Sequence, residues 1–144
     1  MDLLAHIPEG LWQSRADWLG AVGEKWSNPR ASYLSSEQAT LLTYDLHRAY
    51  CAGAWISVLV LCHAAIDATI RDTETGDYRS NSKKLFGGDP DLEWLRKKRN
   101  RLVHVSEESK ESLGDFDVYH EALEADAQRA IELLFRTIYA SPGT

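Results

Sequence analysis

The chain has 144 residues, 44% of them hydrophobic, enough for one domain with a buried core. A formal net charge of −6 excludes a protein that coats nucleic acid indiscriminately, which would be basic overall. No apolar run reaches the ~20 residues that a membrane-spanning helix needs, and Met1 is not followed by a basic, signal-like segment, so a cytoplasmic protein with no membrane contact is expected.

In chain order, Leu11, Trp12, Ala16, Trp18, Leu19, Val22 and Trp26 recur at helical spacing and predict an amphipathic helix. It forms an N-terminal extension over residues 1–34, weakened by Gly20 and Gly23 and ended by Asn28-Pro29. Ser35 or Ser36 can cap the next helix, with Glu37 in the first turn, where a carboxylate suits the helix dipole. The pattern carries that helix to about Asp72, with a break or bend around Tyr44–Arg48. Its second half, AYCAGAWISVLVLCHAAIDATI, is apolar on nearly every side and should be central. Ala49, Ala52 and Gly53 offer a small-residue surface for close approach of another helix.

Cys51 and Cys62 lie eleven residues apart on what reads as one helix. At 1.5 Å rise that is about 16 Å, too far for a disulfide, so both are expected to be buried packing residues. A polar loop over Glu74–Ser82 and a turn at Lys83–Phe86 lead to Gly87-Gly88.

Asp89-Pro90 then starts a helix: a capping oxygen, followed by a ring that pre-sets φ. On a wheel of 3.6 residues per turn, Leu92, Leu95, Leu102 and Val103 form its buried stripe, with Arg99 in the middle of that stripe. Arg96, Asn100 and His104 follow at steps of four along one edge, and five of the six residues 96–101 are basic. A loop rich in Ser and Glu, about Ser106–Gly114, precedes a last helix over Asp117–Ala140. There Leu123, Ala127, Ala130, Ile131, Leu134 and Ile138 face inward. No segment alternates as a strand would. The prediction is an all-α, up-and-down bundle of four to five helices, one domain over residues 1–144 with 35–140 as its core. Most of the five tryptophans belong in that core, with a few left to build a dimer face.

Two polar residues fall where an apolar one is expected. Asp67 shares a face with Ala49, Ile56, Val60, His63 and Ile70, and Arg99 interrupts the stripe of its own helix. A carboxylate and a guanidinium on buried faces relieve each other's desolvation, so Asp67, helped by His63, is expected to approach Arg99 across the bundle. The alternative is that Asp67, near its helix end, reaches water.

The run Arg99-Asn100-Arg101-Leu102-Val103-His104 is similar to the R-x(4–6)-H signature of HEPN domains, with Asn100 as the polar residue that often follows their arginine. The upstream helix AYCAGAWISVLVLCHAAIDA resembles the alanine-rich helix of that superfamily, with Asp67 where a polar residue is common. The resemblance covers roughly residues 35–140. It implies a helical bundle, a dimer that joins two signatures in one cleft, and metal-independent endoribonuclease activity in a toxin–antitoxin or defence setting. The alternative it allows is a non-catalytic nucleotide-binding or protein-interaction module, since some members have lost activity. Two residues past the histidine this chain has Ser106, where some members paired with a nucleotidyltransferase carry a modified tyrosine.

The residue types suit that chemistry on their own terms. RNA can be cut by its own 2′-hydroxyl attacking the adjacent phosphate, which requires a base, an acid and charge stabilisation on the phosphorane. His104 carries an imidazole, the group suited to moving a proton near neutral pH. Arg99 presents a planar fork for phosphate oxygens, and Asn100 could orient phosphate or ribose. Arg96, Lys97 and Arg101 could hold the RNA backbone, with Asp67 and His63 in support. One histidine per chain supplies only the acid or the base, so a homodimer would complete the site.

The competing readings are ordinary ones. Basic residues in a last helical turn complement its dipole, which alone would account for Lys97, Lys98, Arg101 and His104. His6, His47 and His120 have no patterned partners and are expected to be structural. No His, Cys or carboxylate set has metal-site spacing and no Gly-rich phosphate loop is present, so no cofactor is expected. RNA, a second copy of the chain and an antitoxin or other defence protein are the expected partners.

Overall fold

A computed structural model describes residues 6–28, 36–73, 88–104 and 116–140. The expected loops at 74–82 and 106–114, the turn at 83–86, and Ser106 lie outside the described residues. Five helices are described: α1 (Glu9–Trp26), α2 (Glu37–Cys51), α3 (Trp55–Thr73), α4 (Pro90–Val103) and α5 (Phe116–Ile138). No strand occurs among the described residues, so the chain is an all-α bundle. None of its described helices is long and apolar enough to cross a membrane.

Named contacts fix the direction of each helix. Arg15 in the first half of α1 donates from Nη1 to the Cys51 carbonyl (3.0 Å), while Trp26 at its end donates to Glu132 of α5 (2.6 Å). Gln128 of α5 donates to the Tyr50 hydroxyl (3.0 Å), and the His47 and Phe135 rings lie tilted at 51° with centroids 6.4 Å apart. Trp55 at the start of α3 donates to His120 near the start of α5 (3.3 Å). Lys98 of α4 pairs with Asp126, and Arg129 and Arg136 of α5 pair with Asp91 near the start of α4. Helices α1, α3 and α5 therefore run one way and α2 and α4 the other.

The long helix expected over 35–72 is two helices. The break is not at Tyr44–Arg48 but at Ala52–Ala54, where Gly53 takes φ +74°. Its N–H bonds the Tyr50 carbonyl and the Ala54 N–H bonds the Ala49 carbonyl, a Schellman closure that satisfies the last carbonyls of α2. Gly53 thus closes the end of α2, and it also admits the close approach expected there: a Cβ would sit 3.1 Å from Arg15 Nη1 of α1. Cys51 and Cys62 consequently occupy different helices, both free and buried, with burial pushing each thiol pKa up. The expected cap of α2 is Ser36, which accepts from the Ala39 N–H at 3.1 Å.

Helix α3 is the central element. Trp55, Val58, Leu59, Cys62, Ala65 and Ile66 are all buried in one cluster with Leu46 and Tyr50 of α2 and Leu95 of α4. The inward set of α5 is as expected: Leu123, Ala127, Ala130, Ile131 and Leu134 are buried, and Ile138 packs against them. Burying each such Leu, Ile or Val contributes about 1.5–3 kcal/mol. Leu19 and Val22 of α1 belong to the same core, so α1 is part of the packed body. Trp18 stacks on Tyr50 at 5.0 Å between centroids, which adds to that hold. Gly20 and Gly23 lie inside α1, each costing about 1 kcal/mol of helix propensity relative to alanine. Burial of the apolar face offsets that cost. Of the tryptophans, Trp55 is buried, Trp18, Trp26 and Trp94 are half-buried, and Trp12 is exposed.

Candidate functional site

Helix α4 is built from its cap outward. Asp89 accepts from the N–H groups of Asp91 (2.9 Å) and Leu92 (3.3 Å), and Pro90 occupies the first turn, where its missing donor costs nothing. Arg136 reaches the other Asp89 oxygen at 2.7 Å, and Arg129 lies 3.9 Å over the Trp94 ring. The first half of α4 is therefore clamped to α5. Leu92 and Leu95 enter the core and Leu102 packs against it. Val103, expected in the buried stripe, is 45% exposed, because the helix ends there. His104 is its extended C-cap residue, with its N–H bonding the Asn100 carbonyl and its side chain exposed.

The basic run is largely neutralised from within. Arg96 forms a bidentate pair with Glu93 (2.6 and 2.9 Å), and Lys97 makes a looser contact with the same carboxylate at 3.9 Å. Lys98 is turned to Asp126 at 3.3 Å, leaving its side chain only 13% exposed. Arg101 is exposed and has no ion pair among the described residues. Arg99, expected in the middle of the buried stripe, is half-buried, and its Nη1 donates to the Asn100 side-chain oxygen at 2.6 Å. It too meets no carboxylate among the described residues.

The expected pair between Asp67 and Arg99 does not form. Asp67 Oδ2 instead accepts from Arg71 Nε one turn along α3, at 3.0 Å, because a same-helix partner at i+4 is reached without crossing the bundle. The other oxygen, Oδ1, is buried with no hydrogen-bond partner among the described residues. Arg99 still belongs to this neighbourhood through His63, which is 3% exposed. The His63 pKa is pushed down to about 4: burial is the main cause, the Arg99 charge the next, Asp67 opposes, and Arg96 adds to the lowering. His63 is thus a neutral imidazole at the seam of α3 and α4, with Arg96, Arg99 and Asp67 around it.

The structure therefore gathers His63, Asp67, Arg96, Arg99 and Asn100 at one seam and puts Lys97, Arg101 and His104 on the exposed side and end of α4. Two acidic residues that set the charge of this region, Glu93 and Asp126, were not singled out from sequence. Glu93 was findable, since it stands three and four positions before Arg96 and Lys97. Asp126 carries no local signal, because its partner lies on another helix. No group of three or more His, Cys, Asp or Glu among the described residues is placed to hold a metal ion. Comparison with protein-family models, curated proteins and solved structures finds no match for this chain.

Proposed function

We propose that this chain is a metal-independent endoribonuclease of the HEPN type, acting in a toxin–antitoxin or phage-defence setting. The 2′-hydroxyl of the bound RNA attacks the adjacent phosphorus, forming a 2′,3′-cyclic phosphate and releasing the 5′-oxygen of the next nucleotide. Arg99 stabilises the phosphorane through its planar fork, with Asn100 holding that fork in place. His104 takes the 2′-hydroxyl proton or protonates the leaving oxygen, and His104 of a second copy performs the complementary transfer. Asp67 and His63 act from behind Arg99, and Lys97 and Arg101 hold the RNA backbone.

The observation that carries this reading is selective pairing along α4. Arg96 and Lys98 are engaged by carboxylates, whereas among the described residues Arg99 is held by a neutral amide alone, which leaves its charge uncancelled for a ligand. A second reading, a non-catalytic module that binds a nucleotide or a protein, is favoured by the same neutralisation. With Arg96 and Lys98 engaged by carboxylates and an overall charge of −6, fewer cations of α4 are left to hold a long polyanion.

Incubation of the purified chain with mixed RNAs, with and without EDTA, separates the two. Cleavage that persists in EDTA and disappears in His104→Ala and Arg99→Ala supports the nuclease. No cleavage under any condition, with a nucleotide bound stoichiometrically, supports the module.

A further inference from the structure

A cavity of about 410 Å³ opens between α1, α2 and α5, and none of its lining residues belongs to the α3–α4 seam. Leu19, Gly20 and Gly23 form one wall, His47 a second, and Phe135 and Tyr139 a third. The volume falls in the range of small-molecule sites, ~300–1,000 Å³. No charged side chain lines it among the described residues.

Two features distinguish it from a packing defect. The first is its glycine wall. A Cβ built at Gly20 meets nothing within 4 Å, and one at Gly23 meets only Phe135 Cε1 at 3.9 Å, an ordinary contact. Neither glycine has a positive φ, so neither a turn nor a close approach calls for it. Alanine at both positions would give a more stable helix in the same space. What the missing side chains provide is an open wall.

The second feature is His47. Its ring lines the cavity, yet its Nε2 is shut off from water and has no hydrogen-bond partner among the described residues. Burial pushes its pKa down, which leaves a neutral ring with an unmet bonding capacity. Phe135 lies tilted against that ring at 6.4 Å, and Phe135 and Tyr139 lie parallel with centroids 6.1 Å apart. They offer flat apolar surface beside the imidazole.

We propose that this cavity binds a small neutral phenol, its ring against Phe135 and Tyr139 and its hydroxyl bonded to the His47 imidazole. A hydroxyl both donates and accepts, so it satisfies the imidazole in either tautomer. A charged ligand would find no counter-charge in the lining. The terminal torsion of histidine is soft, so the ring can turn its nitrogen toward the cavity at small cost.

The test titrates the full chain with phenol and, separately, with benzene, following the Gly20 and Gly23 amides and the His47 ring nitrogens by NMR. Phenol should saturate with a Kd of about 1 mM or below, with shifts confined to this wall. Benzene should bind about fivefold more weakly for want of the hydrogen bond. Gly20→Leu fills the space with a better helix former, and should raise Tm while weakening phenol binding by at least about tenfold. His47→Phe keeps an aromatic ring and should abolish the preference for phenol. Absence of saturable shifts at the wall, or unchanged binding in Gly20→Leu, overturns the proposal. Equal affinities of the native chain for phenol and benzene overturn the bond to His47 and with it the ligand class.

Discussion

Arg99 and Asn100, neighbours on α4, are joined side chain to side chain: Nη1 of the guanidinium donates to the amide oxygen at 2.6 Å. Successive helix positions point about 100° apart, so only a side chain as long as arginine can bend round to make this bond. The amide steadies the fork without cancelling its charge. Asn100→Asp would convert the bond into an ion pair, and affinity for a short RNA should fall by about tenfold or more. Asn100→Ala leaves the charge intact but loosens the fork, so its loss should be smaller, about two- to threefold. Fluorescence anisotropy with one labelled RNA ranks the two variants. Alanine proving the more damaging would mean that RNA affinity does not depend on the Arg99 charge staying uncancelled.

Buried His63 makes stability depend on pH in a definite direction. Its folded pKa is about 4 against an ordinary value of 6.5, so between those values the unfolded chain binds more protons. This contribution is fully present above pH 6.5 and lost as pH falls toward 4, amounting to at most about 3 kcal/mol over the whole window. Urea unfolding of the native chain and of His63→Leu should show a shallower pH slope in the variant over that window. Arg99→Ala, which removes the second cause of the lowering, should raise the His63 pKa seen in an NMR titration. An unmoved pKa would mean that Arg99 does not act on His63.

Asp89 does two jobs with its two oxygens, capping α4 and holding Arg136 of α5. Asp89→Ala removes both and should destabilise the fold by about 1–2 kcal/mol. Asp89→Asn keeps a capping oxygen while losing the charge pair, so its cost should be about half as large. Equilibrium urea denaturation measures both. Equal costs would assign the whole effect to the pairing with Arg136.

How much of this was legible in the sequence depended on whether the deciding partner was local. The inward face of α5, the Ser36 and Asp89 caps and the central position of α3 follow from periodicity and nearest-neighbour chemistry, and all appear as expected. Gly53 misled because an apolar run on both sides of it continues the helical pattern; only its positive φ reveals that it ends α2. The pairing of Asp67 failed for a related reason. Hydrophobic patterning shows that a carboxylate lies on a buried face, but not which of two arginines is nearer, and Arg71 was one turn away. Within the basic run the sequence displays every charge equally, and the division into engaged and available cations arises from Glu93 on the same helix and Asp126 on another.

That division leads to the sharpest electrostatic prediction. Glu93 holds the Arg96 fork by two bonds and draws Lys97 to 3.9 Å, so it masks cationic charge beside the proposed RNA path. Glu93→Gln should strengthen RNA binding and steepen the dependence of log K on log salt by up to about 1–2, one for each cation released. The same change removes a carboxylate from the first turn of α4 and should lower stability by about 0.5–1 kcal/mol. Affinity and stability thus move in opposite directions, which separates charge unmasking from a general loosening of the fold. Arg96→Ala supplies the converse: with its charge already matched by Glu93, its removal should change RNA affinity by less than about twofold in the native background and substantially more in the Glu93→Gln background. Equal effects in the two backgrounds would show that Glu93 does not hold Arg96 back from RNA.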